Sequence, residues 1–270
     1  MQERTGAELT VHHIVFIDES GEGRFHRSGL PAPSTRSLWV AAAVAIPWSK
    51  VEVIDDGVSD ILGDCLIPSA PELKGSGLRW YLKKESSMEE VAHRVAAVLD
   101  GAGAHVWICA SRAGSPPLRS LQGPYFVKDT VRQLLLERIN GYAVPAYFPP
   151  KSWMLLWDIS EAQELSDFSG AIRRFKDMVS FRSRSAVLLP RLMGAPSHDW
   201  GGLQVADFLA HFGLHFAGEK LGLTDHSPAK SKLFEDVFMP RVKRDSKGKI
   251  VGWKLWPEPE GLAASPPPSS

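Results

Sequence analysis

The chain has 270 residues, 44% of them apolar and 23% charged, which is enough to bury a full hydrophobic core and too apolar for a disordered protein. Lysine plus arginine and aspartate plus glutamate number 31 each, so no net field draws the chain to nucleic acid or to an anionic membrane, and any such contact must be local. The opening MQERTGAELTVHH lacks the apolar middle of a secretory signal, the apolar stretch 38–48 falls far short of the ~20 residues that span a bilayer as a helix, and the two cysteines, Cys65 and Cys109, are too few for a disulfide framework or a thiolate zinc cage; the expectation is a cytoplasmic protein with no membrane span.

Residues 12–18 (HHIVFID) are β-branched and aromatic and run into the turn-forming SGEG, so they predict a strand and a turn. Residues 38–47 predict a second, largely buried strand. Residues 51–64 carry Val51, Ile54, Val58, Ile61 and Leu62 at helical spacing, and the prolines of residues 67–74 forbid the helix from continuing. Ser86-Ser87 ahead of Glu89-Glu90 signals another helix start, with Val91, Val95, Val98 and Leu99 inward until Gly101 and Gly103 end it.

A strand follows at 105–111. Residues 125–142 form the clearest amphipathic helix, with Val131, Leu134, Leu135 and Ile139 on one side, and 153–159 read as a strand. A helix at about 167–179, a short apolar run at 185–189 and a last long helix at 202–216 complete the pattern. Two consecutive strands followed by alternating helices and strands imply an α/β protein with a mixed sheet and helices on its faces. Residues 244–256 resemble a hairpin turned at Asp245-Ser246-Lys247-Gly248, and residues 257–270, rich in Pro, Ser and Ala, read as a disordered tail on a single domain of residues 1–256.

Three acids sit where acids are expensive. Asp18 ends an apolar strand next to Ser20-Gly21, which places it at a sheet edge beside a turn. Asp158 repeats that arrangement after WMLLW, and Asp207 lies within GLQVADFLAHFGLHF, one of the most apolar helices of the chain. An unpaired anion facing a core costs several kcal/mol, so each calls for a cation or a metal beside it. Each also has an ordinary reading: Asp18 as a turn former, Asp158 as a cap, Asp207 as half of an ion pair. Together they suit metal-assisted phosphoryl chemistry, in which carboxylates bind Mg²⁺ or Mn²⁺ through hard oxygens.

Four segments carry a family resemblance: Phe16-Ile17-Asp18-Glu19-Ser20-Gly21, Glu72-Leu73-Lys74-Gly75-Ser76, Trp157-Asp158, and Leu203-Gln204-Val205-Ala206-Asp207-Phe208-Leu209-Ala210. In order and spacing they resemble the bacterial DUF3800 family, related to the ribonuclease H-like fold, over residues 11–218. The resemblance implies an acidic metal site shared by Asp18, Glu72, Asp158 and Asp207, with Asp18 the bridging ligand. Two ions about 3.5–4 Å apart would then serve an in-line displacement at phosphorus. Lys74 would orient the scissile phosphate or offset its charge. Glu19, on the opposite face of the strand from Asp18, reads as a solvated or capping acid.

His211 and His215 fall four and eight residues after Asp207 on roughly one helix face, a spacing that can bind zinc, although Phe212 and Leu214 point to ordinary packing. No nucleophile elbow surrounds Ser20, and Gly21-Glu22-Gly23 lacks the rest of a phosphate-cradling loop. Basic residues cluster at Arg182/Arg184/Arg191 and over 241–254, the latter beside Trp253 and Trp256, and either set reads as a nucleic-acid contact or as a solvated face. The leading expectation is a metal-dependent nuclease or related phosphodiesterase acting on RNA, DNA or a hybrid. Its rival is a non-catalytic nucleic-acid- or protein-binding member of the same fold in a defence or mobile-element system. A third reading takes the Trp-rich segment as a homodimer or partner-protein interface.

Overall fold

The structure, a computed structural model, describes residues 11–22, 34–113, 115, 127–146, 152–158 and 192–256. Among the described residues, six strands share one sheet: β1 (Val11–Gly21), β2 (Leu38–Pro47), β3 (His105–Arg112), β4 (Ser152–Asp158), β5 (Leu192–Ala195) and β6 (Trp253–Trp256), in the order β5-β4-β1-β2-β3-β6. β1, β2 and β3 pair antiparallel as a meander, while β4 runs parallel to β1, β5 to β4 and β6 to β3. Parallel neighbours need long crossovers, and described helices lie in those between β1 and β4 and between β3 and β6.

Period-2 alternation divides the strands between two cores. Ile14, Phe16, Val40, Ala42, Val44, Met154 and Leu156 face a core shared with α1 (Val51–Cys65), α3 (Met88–Gly101) and α5 (Gly201–Lys220). Val15, Ile17, Ala41, Ala43, Trp107, Leu155 and Trp157 face the other side, where α4 (Val127–Ala146) inserts Val131, Leu134, Leu135 and Ile139. Those four are the residues that helical spacing assigned inward. The predicted start of α3 is also as built, since Ser87 caps it by accepting from the Glu90 N–H.

Several expectations are corrected. β1 lies between β4 and β2, so Asp18 is at no sheet edge; it is an interior residue of a central strand that continues through Gly21. The strand at 192–195, the one-turn helix α2 (Leu78–Tyr81) and the short helix α6 (Pro228–Leu233) were not anticipated. The start of α6 does carry a readable signal, Ser227 as a cap that accepts from the Lys230 N–H, with Pro228 in the first turn. The expected hairpin turns at Asp245–Gly248, with Arg244 bridged to Ile250, but its second arm continues into β6 and joins the main sheet beside β3. The helix expected at 167–179, the apolar run 185–189, the cluster Arg182/Arg184/Arg191 and the tail 257–270 lie outside the described residues. Among the described residues no helix is long and apolar enough to cross a membrane.

Candidate acidic site

Strand parity places two of the acids. Asp18 has the parity of Ile14 and Phe16 and so points to the face that α5 covers. β4 pairs with β1 in parallel, Phe16 opposite Leu156 and Ile17 opposite Trp157, which brings Asp158 beside Asp18 on that same face. Asp207 comes from α5, which packs across β1 and β2. The close approach depends on Gly202: a Cβ there would fall 2.3 Å from the Phe16 ring. Asp55 on α1 holds the first turn of α5 by accepting from the Gly201 N–H at 2.8 Å, which satisfies one of the helix's orphan donors.

The fourth acid arrives on a loop, and α5 receives that loop along one stripe. Gln204 Oε1 accepts from the Leu73 N–H at 2.8 Å, and Asp207 Oδ2 from the Gly75 N–H at 3.0 Å. Lys230 of α6 donates from Nζ to the Gly75 carbonyl at 3.0 Å and contacts His211 Nε2 at 2.6 Å. Positions 204, 207 and 211 are three and four apart, so they share a helix face. Glu72 Oε2 accepts from Ser197 Oγ at 2.8 Å, and its Oε1 pairs with Lys74 Nζ at 2.9 Å. Lys74 is therefore Glu72's partner in this structure.

The electrostatics follow from crowding carboxylates at low water content. Burial pushes the Asp18 carboxyl well above the ordinary carboxylate range, and repulsion from Asp207 and Asp158 pushes it further. Burial raises Asp207 to about 6, with Glu72 and Asp158 adding to the rise, and the Gly75 N–H and Lys74 opposing it. Four acids on four separate segments thus share one neighbourhood.

A hard divalent cation suits this donor set, because all the donors are carboxylate oxygens and their repulsion needs positive charge. Among the described residues, however, no three His, Cys, Asp or Glu side chains stand close enough together to ligate one ion.

The histidines do not extend the site. Burial and the nearby Lys230 lower His211 to about 3 and His215 to about 4, so both are neutral. His211 faces Lys230, and His215 Nδ1 accepts from the Ser227 N–H at 3.0 Å. Glu19 also departs from expectation. Instead of being solvated, it accepts from Arg132 Nε at 2.7 Å and Nη2 at 2.8 Å in a pair that is 10% and 4% exposed. Parity turns Glu19 toward α4, and Arg132 supplies the cation there. The contributions of Gln204, Ser197 and Lys230 were missed by sequence reasoning. Gln204, one turn before Asp207 in an apolar helix, is the only one with a local signal.

An antiparallel meander, two further strands parallel to its first, helices on both faces and acids at neighbouring positions define a ribonuclease H-like fold. No family model matches the chain, and no curated protein matches it. Among solved structures it is similar to the RNase HII of the PCNA:RNase HII complex from Archaeoglobus fulgidus, at 14% identity and TM-score 0.36, covering 85% of this chain and 91% of that one. It is also similar to Bst-RNase HIII in complex with Mn²⁺, at 12% identity and TM-score 0.38, covering 85% of this chain and 64% of that one. A point mutant of Bst-RNase HIII gives 12% identity and TM-score 0.41, with 84% and 63% covered. The chain thus spans somewhat under two thirds of the RNase HIII chains, and the fold assignment rests on strand order and direction.

Proposed function

We propose that the chain is a divalent-metal-dependent nuclease, a DUF3800-like protein that hydrolyses phosphodiester bonds of nucleic acid at the site formed by Asp18, Glu72, Asp158 and Asp207. The observation that supports this most is the meeting of Asp18, Asp158 and Asp207 on one face of the sheet, where burial first and then repulsion from neighbouring carboxylates raise the carboxyls of Asp18 and Asp207. Folding concentrates negative charge there at a cost, and a bound cation is the simplest compensation. Asp18, Asp158 and Asp207 would hold Mg²⁺ or Mn²⁺, with Glu72 joining when its carboxylate leaves Ser197 or Lys74. Such an ion, when bound, polarises a phosphoryl oxygen and lowers the pKa of its water. The chain's own residues fix the donors: Gly75 orients Asp207, Ser197 orients Glu72, and the Lys74 ammonium offsets charge at the site's mouth.

One observation favours the second reading, a non-catalytic nucleic-acid- or protein-binding member of the fold: Glu72 is already engaged by Ser197 and Lys74. Cleavage assays on RNA, DNA and hybrid duplexes in Mn²⁺ or Mg²⁺ separate the two. Asp18→Asn and Asp207→Asn should each abolish turnover while the protein stays folded. Full activity in both variants, or no turnover by the wild type on any substrate, sinks the nuclease reading.

A further inference from the structure

The loop that carries Glu72 and Lys74 runs directly into α2, a single turn whose Leu78 is buried as an anchor while Arg79 and Trp80 face outward. Trp80 is 70% exposed, the highest value among the exposed large apolar side chains of the described residues. An indole left in water forgoes the burial that makes tryptophan useful in a core. The Arg79 guanidinium sits 4.5 Å from the Trp80 ring centroid, within the range of a cation–π contact. Behind α2, Lys83 donates from Nζ to the Gly63 carbonyl, and its N–H donates to the Cys65 carbonyl. Both ends of the segment are therefore fixed.

Basic side chains flank Trp80 in the sequence, although Lys74 pairs with Glu72 and Glu85 follows Lys84. Lys74, 45% exposed, lies on the preceding loop, and Arg79 and Lys84 are exposed. The Lys230 ammonium, bonded to the Gly75 carbonyl, is within electrostatic reach of both Arg79 and Asp207, so α2 borders the acidic site. A phosphodiester strand approaching four carboxylates meets repulsion unless cations line its path. An exposed aromatic ring backed by a guanidinium is the element on which an unpaired base stacks.

We propose that Trp80, braced by Arg79, is a stacking platform for an unpaired base of a single-stranded nucleic acid, whose phosphates run along Arg79 and Lys74 toward the acids. The occupant follows from the nucleic-acid reading above, but the platform does not depend on cleavage.

The test is equilibrium binding of a fluorescein-labelled single-stranded oligonucleotide, DNA and RNA separately, to the full chain in EDTA. Trp80→Ala should weaken binding by roughly 5- to 100-fold, the range typical of a lost base–aromatic stack. Trp80→Phe should keep most of the affinity. Arg79→Ala should weaken binding and reduce the slope of log K against log salt by about 0.7, the value for one phosphate contact on a single strand. Because both side chains are exposed, thermal melting should be unchanged in all three variants. Wild-type affinity in Trp80→Ala, or no binding of either strand by the wild type, overturns the platform. Cleavage in Mn²⁺ by a wild type whose Trp80→Ala variant binds normally overturns the platform and leaves the nuclease standing. Trp80-dependent binding without turnover does the reverse.

Discussion

The Gly75 N–H donates to Asp207 Oδ2 at 3.0 Å while the Gly75 carbonyl accepts from Lys230 Nζ at the same distance, so one peptide segment ties the loop of Glu72 to two helices. Gly75 has no positive φ, and backbone strain is not what calls for glycine here. Space is: a Cβ would fall 2.6 Å from His211 Cβ and 3.0 Å from its Cγ.

Gly75→Ala therefore cannot be absorbed by a flexible side-chain end, because His211 Cβ is fixed to α5. The loop must lift from the helix, which stretches the bond to Asp207 and carries Glu72 away from the other acids. The expected cost is about 1–3 kcal/mol of stability, typical of overpacking, together with at least a tenfold loss of any metal-dependent cleavage, since a misplacement of about 1 Å commonly costs on the order of 10²-fold. Urea unfolding and cleavage assays measure the two. A variant as stable and as active as wild type would show that the loop is not held by this contact.

The raised carboxyl of Asp207 sets a pH dependence. Its folded pKa, about 6, lies above the ordinary 3.8, so between those values the folded protein binds more protons than the unfolded chain. Stability then falls as pH rises through that window and is level above it. Asp18, raised for the same reasons, acts in the same direction. Asp207→Asn keeps an oxygen for the Gly75 N–H and removes the charge. In EDTA, Asp207→Asn should be more stable than wild type at pH 7 by on the order of 1–3 kcal/mol, the scale of a shift of about two units, and the difference should vanish near pH 4. Paired urea titrations at the two pH values decide it, and an equal difference at both rules out charge as the cause.

Much of the fold that carries the candidate acids was legible because it depends on local periodicity. Alternation along β1 turned Asp18 one way and Glu19 the other, and the 3.6-residue period of residues 51–64, of the helix started at Ser86-Ser87 and of residues 125–142 identified the inward faces of α1, α3 and α4. What was not legible came from partners distant in sequence. Glu19 looked like a solvated acid because its cation, Arg132, is 113 residues away. The sheet-edge reading of Asp18 failed because the turn signal of SGEG is local, whereas β4, which makes β1 a central strand, comes more than 130 residues later. Lys230 carries no local sign of its bond to Gly75, 155 residues earlier. The hairpin at 244–256 was recognised by its turn, but nothing in those residues tells that the second arm pairs with β3.

The Glu19–Arg132 pair offers a test on the opposite face of β1 from the acids. The guanidinium meets the carboxylate through two nitrogens in fork geometry, at 2.7 and 2.8 Å, and lies 5.4 Å from the Trp157 ring centroid. Removing one partner leaves the other charged in a nearly dry site, so Glu19→Met and Arg132→Met should each cost about 3–5 kcal/mol. Replacing both by methionine removes the uncompensated charge along with the pair, and the double variant should recover most of that loss. Denaturant unfolding of the four proteins forms a double-mutant cycle. Single variants costing less than about 1 kcal/mol would mean that water reaches the pair. A strong coupling would mean that this bond anchors the residue next to Asp18, so that α4 on one face and α5 on the other together hold the strand on which the acidic site is built.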